Sequence, residues 1–129
     1  MKQAPQILIV EDEILIAMDL EDMVAEMGGT AIASAHNIQT AMKLAESIEA
    51  DAAILDVDVA GQLVFPVADI LEARGIPFLF NTGHSAEDAL RARYASAPIC
   101  RKPTLPRQLK KALRALLTPP ESRVLGTLA

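Results

Sequence analysis

The sequence predicts an α/β protein with a doubly wound, parallel, five-stranded sheet in the order 2-1-3-4-5. Three observations carry this prediction. Short apolar runs alternate with helical patterns about every 25 residues. The runs are almost wholly apolar, as strands covered on both faces are. Five such alternations joined by right-handed crossovers leave little besides a sheet wound on both sides.

The elements follow in order. Gln6-Ile7-Leu8-Ile9-Val10 is the first strand and stops abruptly at Glu11-Asp12-Glu13. Ile16, Leu20, Met23, Val24 and Met27 then recur at helical spacing, with Asp19, Asp22 and Glu26 on the opposite face and Gly28-Gly29 as the stop. Thr30 to Ala35 is a short strand, and Asn37 caps a helix that turns Ile38, Ala41, Leu44, Ala45 and Ile48 inward. Asp51 to Asp56 is the third strand. Val64 to Arg74 reads as a helix with Pro66 in its first turn and Gly75 as its stop. Ile76 to Asn81 forms a strand ending at Thr82-Gly83. Ser85 with Asp88 resembles a capping box that opens a helix through about Ala95. Pro98 to Arg101 is the last strand and delivers Lys102-Pro103. Thr104 is expected to cap the final helix, with Leu109, Leu113, Leu116 and Leu117 as its buried stripe, and Pro119-Pro120 stops it. The domain is thus expected over residues 1–118, with 119–129 as a C-terminal tail.

Composition narrows the function. A chain of 129 residues is one domain by length. Aromatic content of 3% with no Trp argues against an aromatic platform for nucleic acid. Cys100 is the lone cysteine, so no disulfide forms within the chain and a cytoplasmic setting is expected. No apolar run approaches the length of a membrane span, and no signal peptide precedes Gln6. The net charge of −5 divides unevenly: residues 1–72 carry −12 and residues 73–129 carry +7. Either solvated helix faces differ by drift, or the acidic half holds a cation while the basic stretch from Arg91 to Arg114 faces an acidic protein partner. DNA fits poorly, because the whole chain is anionic and shows no reading helix.

The strand ends carry the chemistry. In the predicted order the switch point falls between strands 1 and 3, the two that end in acid, and ligand sites of open α/β sheets lie there. Two carboxylates about 4 Å apart at an effective dielectric near 20 repel by roughly 4 kcal/mol, so Asp12 beside Asp56 calls for a cation or a shared proton. A hard divalent ion is the natural filler. Glu11 and Asp12, Asp56, Thr82 and Lys102 together offer a carboxylate nucleophile, oxygen ligands for Mg²⁺, a hydroxyl and an ammonium. Those are the parts phosphoryl transfer to an aspartate needs.

In this order, Ile9-Val10-Glu11-Asp12-Glu13, Ile54-Leu55-Asp56-Val57, Asn81-Thr82-Gly83 and Arg101-Lys102-Pro103 resemble the response-regulator receiver domains of two-component signalling. The resemblance spans residues 5 to about 118 and implies a flavodoxin-like fold. It implies that Asp56 accepts a phosphoryl group from a histidine kinase or histidine phosphotransfer protein. Mg²⁺ would be held by Asp12, by Asp56, by Glu11 through water and by the Asp58 backbone carbonyl, while Thr82 and Lys102 hold phosphoryl oxygens. The implied product is a stand-alone switch, not an enzyme acting on an outside substrate, monomeric or weakly dimeric, whose output is another protein.

Pro66-Val67-Ala68-Asp69 followed by Gly75 to His84 is similar to the receiver subgroup bearing a Phe-Ala-Thr-Gly-hydrophobic-Tyr signature. Asn81 replaces its Ala, and His84 and Ser85 replace its end. Ile99 stands where most receivers have an aromatic ring, so signalling is expected to reorder the segment from Thr82 to Tyr94 instead. His84 is either inert or a tuning group, Tyr94 and the Phe residues are packing, and Leu15 with Met18 are either a kinase docking patch or incompletely buried. Two alternatives stay open. Asp56-Val57-Asp58 fits the Asp-x-Asp pair of haloacid-dehalogenase-like phosphatases, though off the first strand and without a cap insertion. The chain could also be a pseudo-receiver scaffold, which needs none of the four strand-end groups.

Overall fold

The computed structural model describes residues 4–83 and 87–118. The chain runs β1 (Gln6–Val10), α1 (Ile14–Glu26), β2 (Thr30–Ala35), α2 (Ile38–Ser47), β3 (Ala52–Leu55), β4 (Asp58–Val59), β5 (Gln62–Leu63), α3 (Phe65–Ala73), β6 (Phe78–Thr82), α4 (Glu87–Arg93), β7 (Ile99–Arg101) and α5 (Pro106–Leu117). Five strands form a parallel sheet in the order β2-β1-β3-β6-β7. This is the predicted 2-1-3-4-5 order once the two-stranded ribbon β4-β5 is set aside.

The apolar runs are continuous because both faces are covered. Ile7, Ile9, Ile54 and Leu79 face α1 and α5, where Leu20, Val24, Leu109 and Leu113 meet them. Leu8, Val10, Leu55 and Phe80 face the other way, against α2, α3 and Leu90 of α4. Truncating one of these fully buried residues to Ala costs about 2–5 kcal/mol. All four aromatic residues of the chain, Phe65, Phe78, Phe80 and Tyr94, lie in one cluster with neighbouring ring centroids 5.4–5.7 Å apart.

Ends are set locally. Gly28 takes φ +88° past α1, and the Gly29 N–H donates to the Val24 carbonyl at 2.9 Å. Asn37 caps α2 as expected, accepting the Thr40 N–H at 2.8 Å. The Arg74 guanidinium closes the other end of α2, donating to the Ala45 and Ile48 carbonyls at 2.7 and 2.8 Å.

The structure corrects two expectations and adds an element. Thr104 does not cap α5: Leu105 holds that position and Pro106 opens the helix, while the Thr104 hydroxyl bonds the buried Asn81 side chain and the Arg101 carbonyl. Helix α4 ends at Arg93, short of Ala95. The β4-β5 ribbon was not predicted, because two-residue strands have no periodicity to read. His84, the Ser85 half of the proposed capping box, Pro119-Pro120 and the tail lie outside the described residues. Among the described residues, no helix is long and apolar enough to cross a membrane.

Candidate functional site

The two acidic strand ends are in register. The Asp56 N–H donates to the Val10 carbonyl at 2.9 Å, and the Glu11 N–H to the Ala35 carbonyl at 3.0 Å, so the residues after β1 and β3 emerge side by side. Glu11 is 1% exposed and Asp56 4%. Carboxylate oxygens of Glu11, Asp12 and Asp56 all lie within 4.8 Å of one another. The predicted convergence of Asp12 and Asp56 is present.

Lys102 arrives from the end of β7. Its Nζ lies 2.7 Å from Glu11 Oε1 and 3.1 Å from Asp56 Oδ2. The Lys102 N–H donates to the Thr82 carbonyl at 2.9 Å, which aligns the ends of β6 and β7. Thr82 is fully buried at the same edge of the sheet.

The ribbon positions the remaining acids. Ala60 (φ +52°) and Gly61 (φ +84°) form its two-residue turn, where positive φ at both positions is what the tight hairpin requires. The Ala60 N–H donates to Asp12 Oδ2 at 3.0 Å, and the Gly61 N–H to Asp58 Oδ1 at 2.9 Å. The Asp58 carboxylate is therefore committed to the turn and stands outside the cluster. Its backbone carbonyl is not: the Val64 N–H bonds the Val57 carbonyl, and hydrogen-bonded pairs alternate along an antiparallel ribbon, so the Asp58–Leu63 pair is the open one.

Histidine 36 was not singled out from sequence. Its Nδ1 lies 2.8 Å from the Glu11 carbonyl, extending the β1–β2 ladder by one bond and fixing the loop that carries Glu11 and Asp12. A histidine directly after a strand beside an acidic strand end was the available signal. Ile99 is half-buried against the core around Tyr94, so no aromatic ring occupies its place. Ile14, Leu15 and Met18, at 59, 77 and 52% exposure, form an apolar patch on the first turns of α1, beside the acids.

The site resists its own negative charge. Burial pushes the Glu11 carboxyl up to about 7, against the pull of Lys102 and the Glu13 N–H. Burial also raises Asp56, against hydrogen bonding from Glu11 and the charge of Lys102. For Asp12, burial is outweighed by hydrogen bonds from Glu11 and the Ala60 N–H, and its carboxyl falls below the ordinary value. Burial would lower Lys102, but Glu11 and Asp56 hold its ammonium above the ordinary value. Oxygen donors alone, three of them carboxylates, suit a hard divalent cation. The residues fit Mg²⁺, with Glu11, Asp12, Asp56 and the Asp58 carbonyl as the groups able to hold it.

No family model matches the chain. The fold and sequence are similar to SdrG from Sphingomonas melonis Fr1, at 43% identity and a TM-score of 0.78 over 92% of this chain and 100% of that one. A BeF3-activated conformation of SdrG matches with a TM-score of 0.74. The receiver (REC) domain of the Erythrobacter litoralis PhyR response regulator matches at 25% identity and a TM-score of 0.79, over 89% of this chain and 91% of that one. Among curated proteins, the phyllosphere-induced regulator PhyR of Methylorubrum extorquens is 32% identical over 117 residues, 88% of this chain. The chain spans less than half the length of the curated relatives it matches, 44 to 46%. With four strand-end groups gathered at the switch point and full-length similarity to these proteins, the chain belongs to the response-regulator receiver family of two-component signalling.

Proposed function

We propose that the chain is a phospho-accepting switch, with Asp56 as acceptor and a histidine kinase or histidine phosphotransfer protein as donor. The observation that carries the reading is Lys102, whose ammonium bridges the buried carboxylates of Glu11 and Asp56 at 2.7 and 3.1 Å. A core would not bury this triad for stability alone, since buried ion pairs seldom repay their desolvation. The activated conformation known for SdrG adds support by similarity.

In the transfer, an Asp56 carboxylate oxygen attacks the phosphorus in line, and the bond from phosphorus to the donor's imidazole nitrogen breaks. The imidazole leaves neutral, and an aspartyl phosphate remains until water hydrolyses it. Lys102 holds a phosphoryl oxygen by charge, and Thr82 offers its hydroxyl to another. Asp12 stays ionised at the pocket wall, with the Ala60 N–H fixing its rotamer. Bound Mg²⁺ supplies neutralisation of the charge that gathers on the phosphoryl oxygens. The Ile14, Leu15 and Met18 patch borders this pocket and suits an apolar face of the donor. Output goes through protein contacts on the cationic face from Arg91 to Arg114.

The phosphatase reading loses its second acid, because the Asp58 carboxylate is bound to the Gly61 N–H. Intact mass after incubation with Mg²⁺ and acetyl phosphate tests the switch. A single phosphoryl adduct that is lost in Asp56→Asn supports it. Persistent absence of an adduct supports the scaffold, and turnover of a generic phosphomonoester abolished by Asp58→Asn supports the phosphatase.

A further inference from the structure

Asn81 stands two residues after Leu79 on β6, so its side chain turns to the same face of the sheet, the one covered by α1 and α5. Neighbouring strand positions on that face, Ile9, Ile54, Leu79 and Cys100, pack in the apolar layer. Asn81 is 1% exposed, and an amide buried there must find its partner inside the protein. Packing does not call for an amide at this position. A cavity of about 290 Å³ opens beside Asn81 and Thr104, walled by Leu20 and Met23 of α1, so an apolar side chain would fill the layer at least as well.

What the amide does is hold the far side of the turn that carries Lys102. The Thr104 hydroxyl bonds Asn81 Oδ1 and lies 3.2 Å from the Arg101 carbonyl oxygen. On the near side, the Lys102 N–H donates to the Thr82 carbonyl at 2.9 Å. Residues 101–104 are thus fastened to β6 on both sides of Pro103, by backbone before it and by the Asn81 side chain after it. Neither Pro103 nor Pro106, which opens α5, has an N–H with which to add a tie. Between the two fastenings stands Lys102, whose Nζ lies 2.7 Å from Glu11 Oε1 and 3.1 Å from Asp56 Oδ2.

We propose that Asn81 is a positioning residue for phosphoryl transfer: acting through the Thr104 hydroxyl, it holds the Lys102-Pro103 turn so that the Lys102 ammonium stands against Asp56. The effect on rate rests on the phospho-accepting reading; the placement of the ammonium does not. Lysine is a point charge on a flexible stem, so its aim depends on how firmly its backbone is held. The groups able to hold Mg²⁺ come from the ends of β1 and β3 and from the ribbon, none of which the Asn81–Thr104 bond touches. Loss of the bond should therefore slow transfer and leave metal affinity alone.

The test follows adduct mass over time with acetyl phosphate at saturating Mg²⁺, Mg²⁺ affinity by calorimetry, and the mobility of Lys102 by carbon-13 relaxation of its Cε methylene. Asn81→Ala and Thr104→Val should each slow adduct formation about tenfold, because a misplacement of about 1 Å costs up to about 10²-fold. The double variant should be no slower than the slower single one, since both remove the same bond. Thr104→Ser, which keeps the hydroxyl, should restore the rate, and none of these variants should change Mg²⁺ affinity. The Lys102 methylene should be rigid in the unmodified protein and in Thr104→Ser, and mobile in the other variants. Losses that add in the double variant, a Thr104→Ser as slow as Thr104→Val, or a metal affinity that falls in step with the rate each overturn the positioning role. If Asn81→Ala does not fold, Thr104→Val against Thr104→Ser decides alone. No adduct on the unmodified protein overturns the phospho-accepting reading, whereas equal Lys102 mobility in Thr104→Val and the unmodified protein overturns the positioning role whether or not an adduct forms.

Discussion

Lys102 Nζ lies 2.7 Å from Glu11 Oε1, an ammonium from the last strand end against a carboxylate that is 1% exposed. Removing one partner of a buried pair leaves the other uncompensated, at a typical cost of about 3–5 kcal/mol. Here the cost is smaller, because the Lys102 side chain is 18% exposed and Glu11 can neutralise itself by taking a proton near pH 7. Lys102→Met should lower the stability of the metal-free protein by about 2 kcal/mol in urea unfolding. Saturating Mg²⁺ should recover most of the loss, since a divalent ion can replace the missing charge.

The raised Glu11 carboxyl gives a pH signature opposite to that of ordinary acids. Unfolded, Glu11 ionises at its usual 4.5, and folded it holds its proton up to about 7. Between these values the folded state binds more protons, so stability of the metal-free protein falls as pH rises from 4.5 to 7. The contribution is fully present below 4.5 and lost above about 7. Burial raises Asp56 in the same sense, while Lys102 stays charged across this window and adds no slope. Mg²⁺ must displace the Glu11 proton, so its affinity should weaken as pH falls below 7. Thermal unfolding across this range, with and without Mg²⁺, checks both statements; a metal-free curve that rises with pH would refute the burial argument.

What sequence made legible was the set of groups that strand geometry alone determines. A parallel strand with both faces covered must be apolar throughout, so the place where Gln6–Val10 or Ala52–Leu55 gives way to acid marks the edge of the sheet. Glu11, Asp12, Asp56, Thr82 and Lys102 were picked out in this way, and the convergence of Glu11, Asp12, Asp56 and Lys102 follows from strand order. Contacts set by one nonlocal bond were not legible. Thr104 looked like a cap, but Pro106 fixes the first helical position and the hydroxyl is drawn to the buried Asn81. The Asp69–Tyr94 bond has no local pattern, and the signal for His36 was no more than its place directly after a strand. The ribbon's only signal was Ala60-Gly61, a two-residue turn between residues too few to show alternation.

That turn supports a separable prediction. Gly61 sits at φ +84° with nothing within 4 Å of where a Cβ would stand, so a substitution there meets backbone strain and no clash. Gly61→Val should destabilise the fold by only about 1–2 kcal/mol. Displacing the turn also moves the Ala60 N–H off Asp12 and the Gly61 N–H off the Asp58 carboxylate. Mg²⁺ affinity, read by intrinsic Tyr94 fluorescence or calorimetry, should therefore drop severalfold, whereas Ala60→Gly, which tolerates the same turn, should retain it.

With Ile99 in place of a ring, the aromatic group poised to report on α4 is Tyr94. It is 3% exposed and its hydroxyl donates to Asp69 Oδ1 at 2.7 Å, while Arg93 Nη2 bonds the other oxygen of Asp69 at 2.8 Å and its guanidinium lies 4.8 Å from the centre of the Phe65 ring. Helix α4 is thus latched to α3 at its C-terminal end, while among the described residues the side chain of its first residue, Glu87, reaches another element through the surface ion pair to Arg101 of β7. A shift driven from Thr82 should pivot α4 about Tyr94. Tyr94→Phe removes the hydroxyl but keeps the ring packing, and should cost about 1 kcal/mol. Backbone relaxation and amide exchange should show Glu87–Arg93 more mobile in that variant and altered by phosphorylation in the parent, with Phe78–Phe80 unchanged in both. An α4 whose exchange is the same in the phosphorylated and unphosphorylated parent would rule out this route, and a loss confined to the Glu87 end would place the pivot where the latch predicts.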